Sequence, residues 1–266
     1  MMDWSIFTKK KGLTLVELVI ALVLSSILIA ALYQVFITQQ RIYKTQDQVA
    51  DIQQNVRIAI GQMSKEIRMA GYGGNVLDIF DNLNGFSDII TPGNDSITIL
   101  LADQVGVFKQ NTPKGVNQIK VTNASIFNTD KKKYLCLNGL NNYLIQSITA
   151  DTITTTTSLE EDHIINEPVY LVKAITYSIG ISGGRPALRR NENTGGGAQP
   201  LAENMESLQF NYFDANGNLT TNPQDIQMVR ILVTVKTNLP DPEYKAEDGY
   251  RRRILSSYIK VRNIGL

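Results

Sequence analysis

Glu17 lies inside an apolar run, in "KKKGLTLVELVIALVLSSILIAALYQVFI" (residues 9–37), and a carboxylate there calls for a cation. A charged side chain in hydrocarbon costs about 2.5 to 3.5 kcal/mol on insertion scales, so it needs a positive partner or a route to the headgroups. Two other stretches carry ion-binding residue types. "DANGN" sets Asp214, Asn216 and Asn218 at alternate positions, a weak calcium-loop candidate. Its glycine comes too early for an EF-hand and only Asp225 stands near the far end, so a hairpin turn is expected. "EEDHI" (residues 160–164) gathers three acids and the only histidine, His163. Adjacent residues in one loop rarely converge on an ion, so it reads as a charged turn between strands, and no metal or cofactor is expected.

Nucleophilic catalysis would need a base beside a nucleophile. The one histidine is far in sequence from the one cysteine, Cys136, and neither a phosphate-binding glycine loop nor a serine-hydrolase elbow occurs. The chain does not read as an enzyme; a membrane-tethered enzyme using His163 is the alternative in that class. Cys136 sits between Leu135 and Leu137 as a buried strand residue, and a single cysteine forms no intramolecular disulfide. Net charge is +1, so no global field attracts nucleic acid. "RRR" (residues 251–253) and the pair Arg189, Arg190 could meet phosphates, but no aromatics are interleaved with them, and solvated loop charges are expected.

The elements that position Glu17 follow from patterning. Residues 18–37 give about 20 nearly continuous apolar positions, enough to cross a bilayer as a helix. Lys9, Lys10 and Lys11 precede them and a mixed segment follows, which places the N-terminus in the cytoplasm. Beyond, Val49, Ile52, Val56, Ile60, Met63, Ile67 and Ala70 recur at helical spacing. No proline occurs before Pro92, and "RMAGYGG" supplies Gly71, Gly73 and Gly74 as a stop, so one helix is expected from 13 to about 70, roughly 85 Å long. Gly61 within it costs about 1 kcal/mol relative to alanine.

From Asn75 onward, short β-prone runs alternate with turn signals: "SITILLA", "NQIKVT", "YLCLN", "YLIQSIT", "DTITTTT", "EPVYLVKAITYSIGI", "ESLQFNYFD", "IQMVRILVTVKT" and "RILSSYIKVRN". Hairpin turns are expected at "DANGN" and "LNGLNN", and a mobile loop at "ENTGGGAQP" (residues 192–200). The fold class is α+β, a long helix packed on a mainly antiparallel β domain.

A secretory signal would place its small-residue cleavage site after the apolar run, whereas here Gly12 stands before it. With that order, "KKKGLTLVEL" resembles a type IV prepilin leader: the lysines as basic patch, Gly12 at the cut, Leu13 as the new first residue and Glu17 as the fifth. Leu13 departs from the phenylalanine usual there. The resemblance implies cleavage after Gly12 by a prepilin peptidase and N-methylation of Leu13. It also implies that the Leu13 amine, of a neighbouring subunit or of the same chain before assembly, is the cation for Glu17, setting subunit register. Patches along the chain, "MSKEIRMAGYGG", "ITYSIGISGGRPALRRNE" and "RRRILSSYIKVRN", resemble the PilW family of minor pilins, related to the J pseudopilin of type II secretion.

A pilin-like lollipop is thereby implied: leader 1–12, transmembrane or filament-core helix 13–37, amphipathic helix 38–71 and a β-rich periplasmic or extracellular domain 72–266. The implied role is a minor pilin that primes a type IV pilus at or near its tip. Its partners would be other minor and major pilins through helix 13–70, the prepilin peptidase, the inner-membrane assembly platform and a PilY-type tip adhesin. The location would be the inner membrane, then the pilus. Alternatives are a J-like pseudopilin, or a tip module binding a surface or DNA.

Overall fold

In the computed structural model the described residues are Gly12 and residues 14–73, 76–245 and 248–264. The chain divides into two compact units, residues 1–50 and residues 51–266. A single helix, α1 (Leu15–Arg68), runs through the described part of the first unit and into the second. It is four residues shorter than the span from 13 to 70, with Leu13 outside the described residues and residues 69–73 already in a turn.

In the first unit α1 presents its apolar side chains outward, from Leu15 and Val19 to Leu32 and Phe36. Two of its hydroxyls are satisfied within the helix: Ser26 Oγ donates to the Val23 carbonyl at 2.7 Å and Thr38 Oγ1 to that of Gln34 at 3.0 Å.

In the second unit the helical stripe is core. Ile52, Val56, Ala59, Met63, Ile67 and Ala70 are buried, and Ile60 is half-buried against the same cluster. The helix stops because the chain must turn left-handed: Gly71 has φ +81° and Gly73 φ +113°. A Cβ on Gly71 would sit 2.5 Å from the Asn263 carbonyl oxygen, so only glycine fits at that contact. The turn is sewn to a strand by Gly71 N–H donating to Leu100 O at 2.9 Å and Ala102 N–H to Tyr72 O at 2.7 Å. A short helix, α2 (Val76–Phe80), follows.

All pairings are antiparallel. One sheet has the order β1 (Ile90–Pro92), β2 (Ser96–Val107), β7 (Pro168–Ser182), β4 (Tyr134–Leu137), β5 (Asn141–Thr149), β6 (Thr152–Thr155), β3 (Gln118–Lys120), with β8 (Arg185–Asn191) also pairing β7 and β9 (Ala198–Glu203) pairing β8. A second sheet is β10 (Met205–Phe213), β11 (Met228–Lys236), β12 (Arg252–Lys260). Strand alternation separates three cores. Ile97, Ile99 and Leu101 of β2 join the helix stripe and the inner face of the second sheet, including Phe210, Ile231 and Val233. Leu100 and Ala102 face the other way, onto Leu83, Cys136 and Val172. Past a register shift at Gln104/Gly106, Phe108, Ile119, Leu135, Ile153 and Leu171 close a separate core.

Two expectations are corrected. "ENTGGGAQP" is not simply a loop: Ala198 onward belongs to β9, and the residues before it turn the β8–β9 hairpin, braced by Asn193 N–H to Asn191 Oδ1 at 2.9 Å and Gln199 Nε2 to Gly196 O at 3.0 Å. The arginines are not solvated loop charges. Arg189 and Arg190 lie in β8, Arg252 and Arg253 in β12, and Arg251 pairs with Asp241 at 2.7 Å.

Candidate functional site

The site begins where α1 begins. Thr14 precedes the first helical residue, and Glu17 stands three positions later. The Glu17 N–H donates to Thr14 Oγ1 at 3.2 Å, while Glu17 Oε2 accepts both the Thr14 N–H and its hydroxyl at 2.9 Å. This is a reciprocal capping box: two otherwise orphaned donors at the helix start are satisfied, with negative charge at the positive end of the helix dipole. Thr14 was not singled out in the sequence, though "TLVE" carries the signature. Glu17 thus has an intrachain task that needs no cation. Only one of its oxygens is engaged there; Oε1 has no partner among the described residues.

Gly12, at the expected cleavage point, is exposed, and a Cβ there would meet nothing within 4 Å. Leu13 and the three lysines lie outside the described residues. The helix beyond Glu17 is long and apolar enough to cross a membrane, with mean hydropathy 2.7 over an 18-residue window, none of which is buried in the protein. A helix that exposes this much hydrocarbon must be covered by lipid or by other subunits.

Residues 7–33 match the family model for the prokaryotic N-terminal methylation motif. The N-terminus is therefore type IV prepilin-like. The match covers residues 7–12 of the expected leader, Leu13, Glu17 and the first part of α1, and none of the β domain. No curated protein and no solved structure matches the chain. A prepilin-like N-terminus joined to a long helix and an antiparallel β domain makes this a type IV pilin-like, membrane-anchored chain.

The other candidates take structural places. In "DANGN", Asp214 Oδ1 accepts the N–H groups of Asn216 at 2.9 Å and Asn218 at 2.8 Å, and Oδ2 accepts Asn218 Nδ2 at 3.1 Å. Those hydrogen bonds, led by the Asn218 N–H, hold the Asp214 carboxyl below the usual carboxylate range and make it the brace of a turn. Asp225 instead accepts from Asn222 Nδ2 at 2.8 Å. Among the described residues no three His, Cys, Asp or Glu side chains converge.

"EEDHI" is a turn between β6 and β7, but its histidine is not part of a solvated charge cluster. His163 is buried, stacked on Phe108 with ring centroids 4.9 Å apart, and its Nδ1 lies 2.8 Å from Glu167 Oε1. Cys136 is fully buried, and loss of hydration pushes its thiol up to about 12, which makes it inert.

The anchoring of the helix to the sheet was also unmarked in the sequence. Glu66 of α1 accepts the Tyr177 hydroxyl at 2.6 Å and two bonds from Arg190 Nε at 3.2 Å, with Arg190 Nη2 at 3.0 Å. Arg190 Nη1 and Lys173 Nζ each reach Glu192 Oε1 at 2.8 Å. One polar network thereby fixes the last turn of α1 on β7 and β8.

Proposed function

We propose that this chain is a minor pilin, of PilW type, that primes assembly of a type IV pilus and sits at or near its tip. The observation that carries the reading is the methylation motif at residues 7–33 leading directly into the exposed apolar helix. In this reading a prepilin peptidase removes residues 1–12 and methylates the Leu13 amine. The N-terminus begins in the cytoplasm and residues beyond 38 lie outside the inner membrane. The helix then moves from lipid into contact with other minor and major pilins at the assembly platform, with a PilY-type adhesin as tip partner.

Glu17 keeps the capping box with one oxygen and offers the other to the Leu13 amine of a neighbouring subunit. Out of water, that charge pair is worth more than the roughly 0 to 1 kcal/mol of an exposed pair. Glu17→Gln retains one acceptor oxygen for Thr14 and loses the charge. Membrane insertion and cleavage continue, because a neutral side chain is easier to insert. Pilus number per cell and co-purification with other minor pilins fall together. Wild-type values for both would refute this role for Glu17.

A further inference from the structure

We propose that the open edge and outer face of the β10–β11–β12 sheet dock an extended acidic segment of another protein as a fourth strand. The sheet has one sealed side and one open side. On the β10 side, Phe210 N–H donates to Asn94 O at 2.9 Å and the Tyr212 hydroxyl donates to Gly93 O at 2.8 Å, joining it to the β1–β2 turn. Among the described residues β12 pairs with β11 alone.

Its bonding parity follows from the ends of the ladder. Val261 N–H donates to Gln227 O at 2.9 Å, and Arg251 O accepts from Thr237 N–H at 3.0 Å, in one unbroken antiparallel register. Odd-numbered residues therefore bond inward to β11, and Ile254, Ser256, Tyr258 and Lys260 turn their N–H and C=O groups to the open edge. The rival edges are poor templates: β1 and β3 have three residues each, and β9 carries Pro200, which has no N–H.

The same even-numbered residues lie on the outer face, opposite the buried Val229, Ile231 and Val233 of β11. Ile254 is 68% exposed and Tyr258 57%, so the apolar row along the edge is uncovered. Tyr258 packs on Phe213 at 6.2 Å and carries the Arg230 guanidinium 5.5 Å above its ring. Arg230 Nε is buried with no hydrogen-bond partner among the described residues.

The charge of the face selects the occupant. Arg230, Lys236, Arg252 and Lys260 project there against two carboxylates among the described residues, Glu206, occupied by Arg252 at 2.6 Å and Lys236 at 3.6 Å, and Asp248, occupied by Arg252 at 2.5 Å. Arg230 and Lys260 have no carboxylate partner among the described residues. A second copy of β12 is a poor fit, since antiparallel pairing about Ser256 sets Arg252 opposite Lys260. A strand with acidic ends and an uncharged, alternating centre satisfies the free backbone groups, covers Ile254 and Tyr258 and neutralises the cations.

The test uses the full chain in detergent micelles and a labelled octapeptide alternating valine and threonine with glutamate at both ends, against a lysine-ended counterpart. Binding is read by fluorescence anisotropy, and the docking position by residue-resolved amide exchange. The glutamate-ended peptide binds, more weakly as salt rises, and slows exchange at residues 254, 256, 258 and 260. Ser256→Pro removes an edge-facing N–H that β11 does not use and weakens binding by about tenfold, the value of one to two backbone hydrogen bonds. Should that variant lose its near-ultraviolet circular dichroism, Lys260→Gln with Arg230→Gln gives the same test through charge. The proposal is overturned by absence of binding, by equal binding of the lysine-ended peptide, or by protection elsewhere. Edge protection that rises with protein concentration without peptide also overturns it, making the occupant a second copy.

Discussion

Replacing Arg190 with alanine leaves Glu66 charged beneath the helix end with the Tyr177 hydroxyl and the long Gln62 Nε2 contact at 3.4 Å as uncharged donors and no cation, and removes one of two cations from Glu192. The Glu66 and Arg190 side chains are 16% and 17% exposed, closer to a buried pair than to a surface one. Breaking a buried pair costs about 3 to 5 kcal/mol and a surface pair about 0 to 1, and the residual exposure puts this one at about 2 to 3. That corresponds to a melting temperature lower by roughly 4–12 °C for a unit of this size.

The acid limb of stability changes as well. Burial pushes the Glu192 carboxyl up, but hydrogen bonds from Lys173 and Arg190 outweigh it and hold the group below its usual range. A depressed carboxyl stabilises the fold above its unfolded pKa, about 4.3, and that contribution is lost as pH falls through the lower folded value. Arg190→Ala therefore flattens the stability loss below about pH 4.3 relative to wild type. The assay is near-ultraviolet circular dichroism of the tyrosines during urea unfolding of the full chain in detergent at several pH values. Arg253→Ala serves as control, since Arg253 is exposed with no carboxylate partner among the described residues. Equal effects of the two substitutions would refute the anchoring role of Arg190.

Gly61→Ala raises stability by up to about 1 kcal/mol, because a Cβ there meets nothing within 4 Å and glycine is the weaker helix former; an unchanged urea midpoint would contradict this. Cys136 resists alkylation by iodoacetamide in the native chain and reacts once unfolded, as its burial and raised thiol require. Rapid native labelling, read by mass spectrometry, would show that its strand opens.

Features written in local chemistry were legible in the sequence. The lysine-glycine-apolar order, the charge of Glu17 and the helical stripe depend on residues close in the chain, and the strands with clear alternation appeared where expected. β8 and β9 did not. "RPALRRN" hides its strand character behind arginines, of which Arg190 is neutralised by Glu66, over a hundred residues earlier, and by Glu192, and β9 is disguised by a glycine run and Pro200. His163 was misplaced for the same reason: its acidic neighbours suggest solvent, while Phe108 and Glu167 make it core. At Glu17 the surrounding apolar run points to a distant cation, whereas the nearer partner is Thr14, three residues earlier in a contiguous "TLVE".

The central claim is that this chain is processed as a prepilin, and the intact mass of the protein from wild-type cells and from cells lacking the prepilin peptidase tests it most directly. The expected wild-type chain begins at Leu13, without residues 1–12 and with one added methyl group on its amine, against a chain that keeps residues 1–12 in the peptidase-deficient cells. A wild-type protein that retains residues 1–12, or the same mass in both strains, would contradict it.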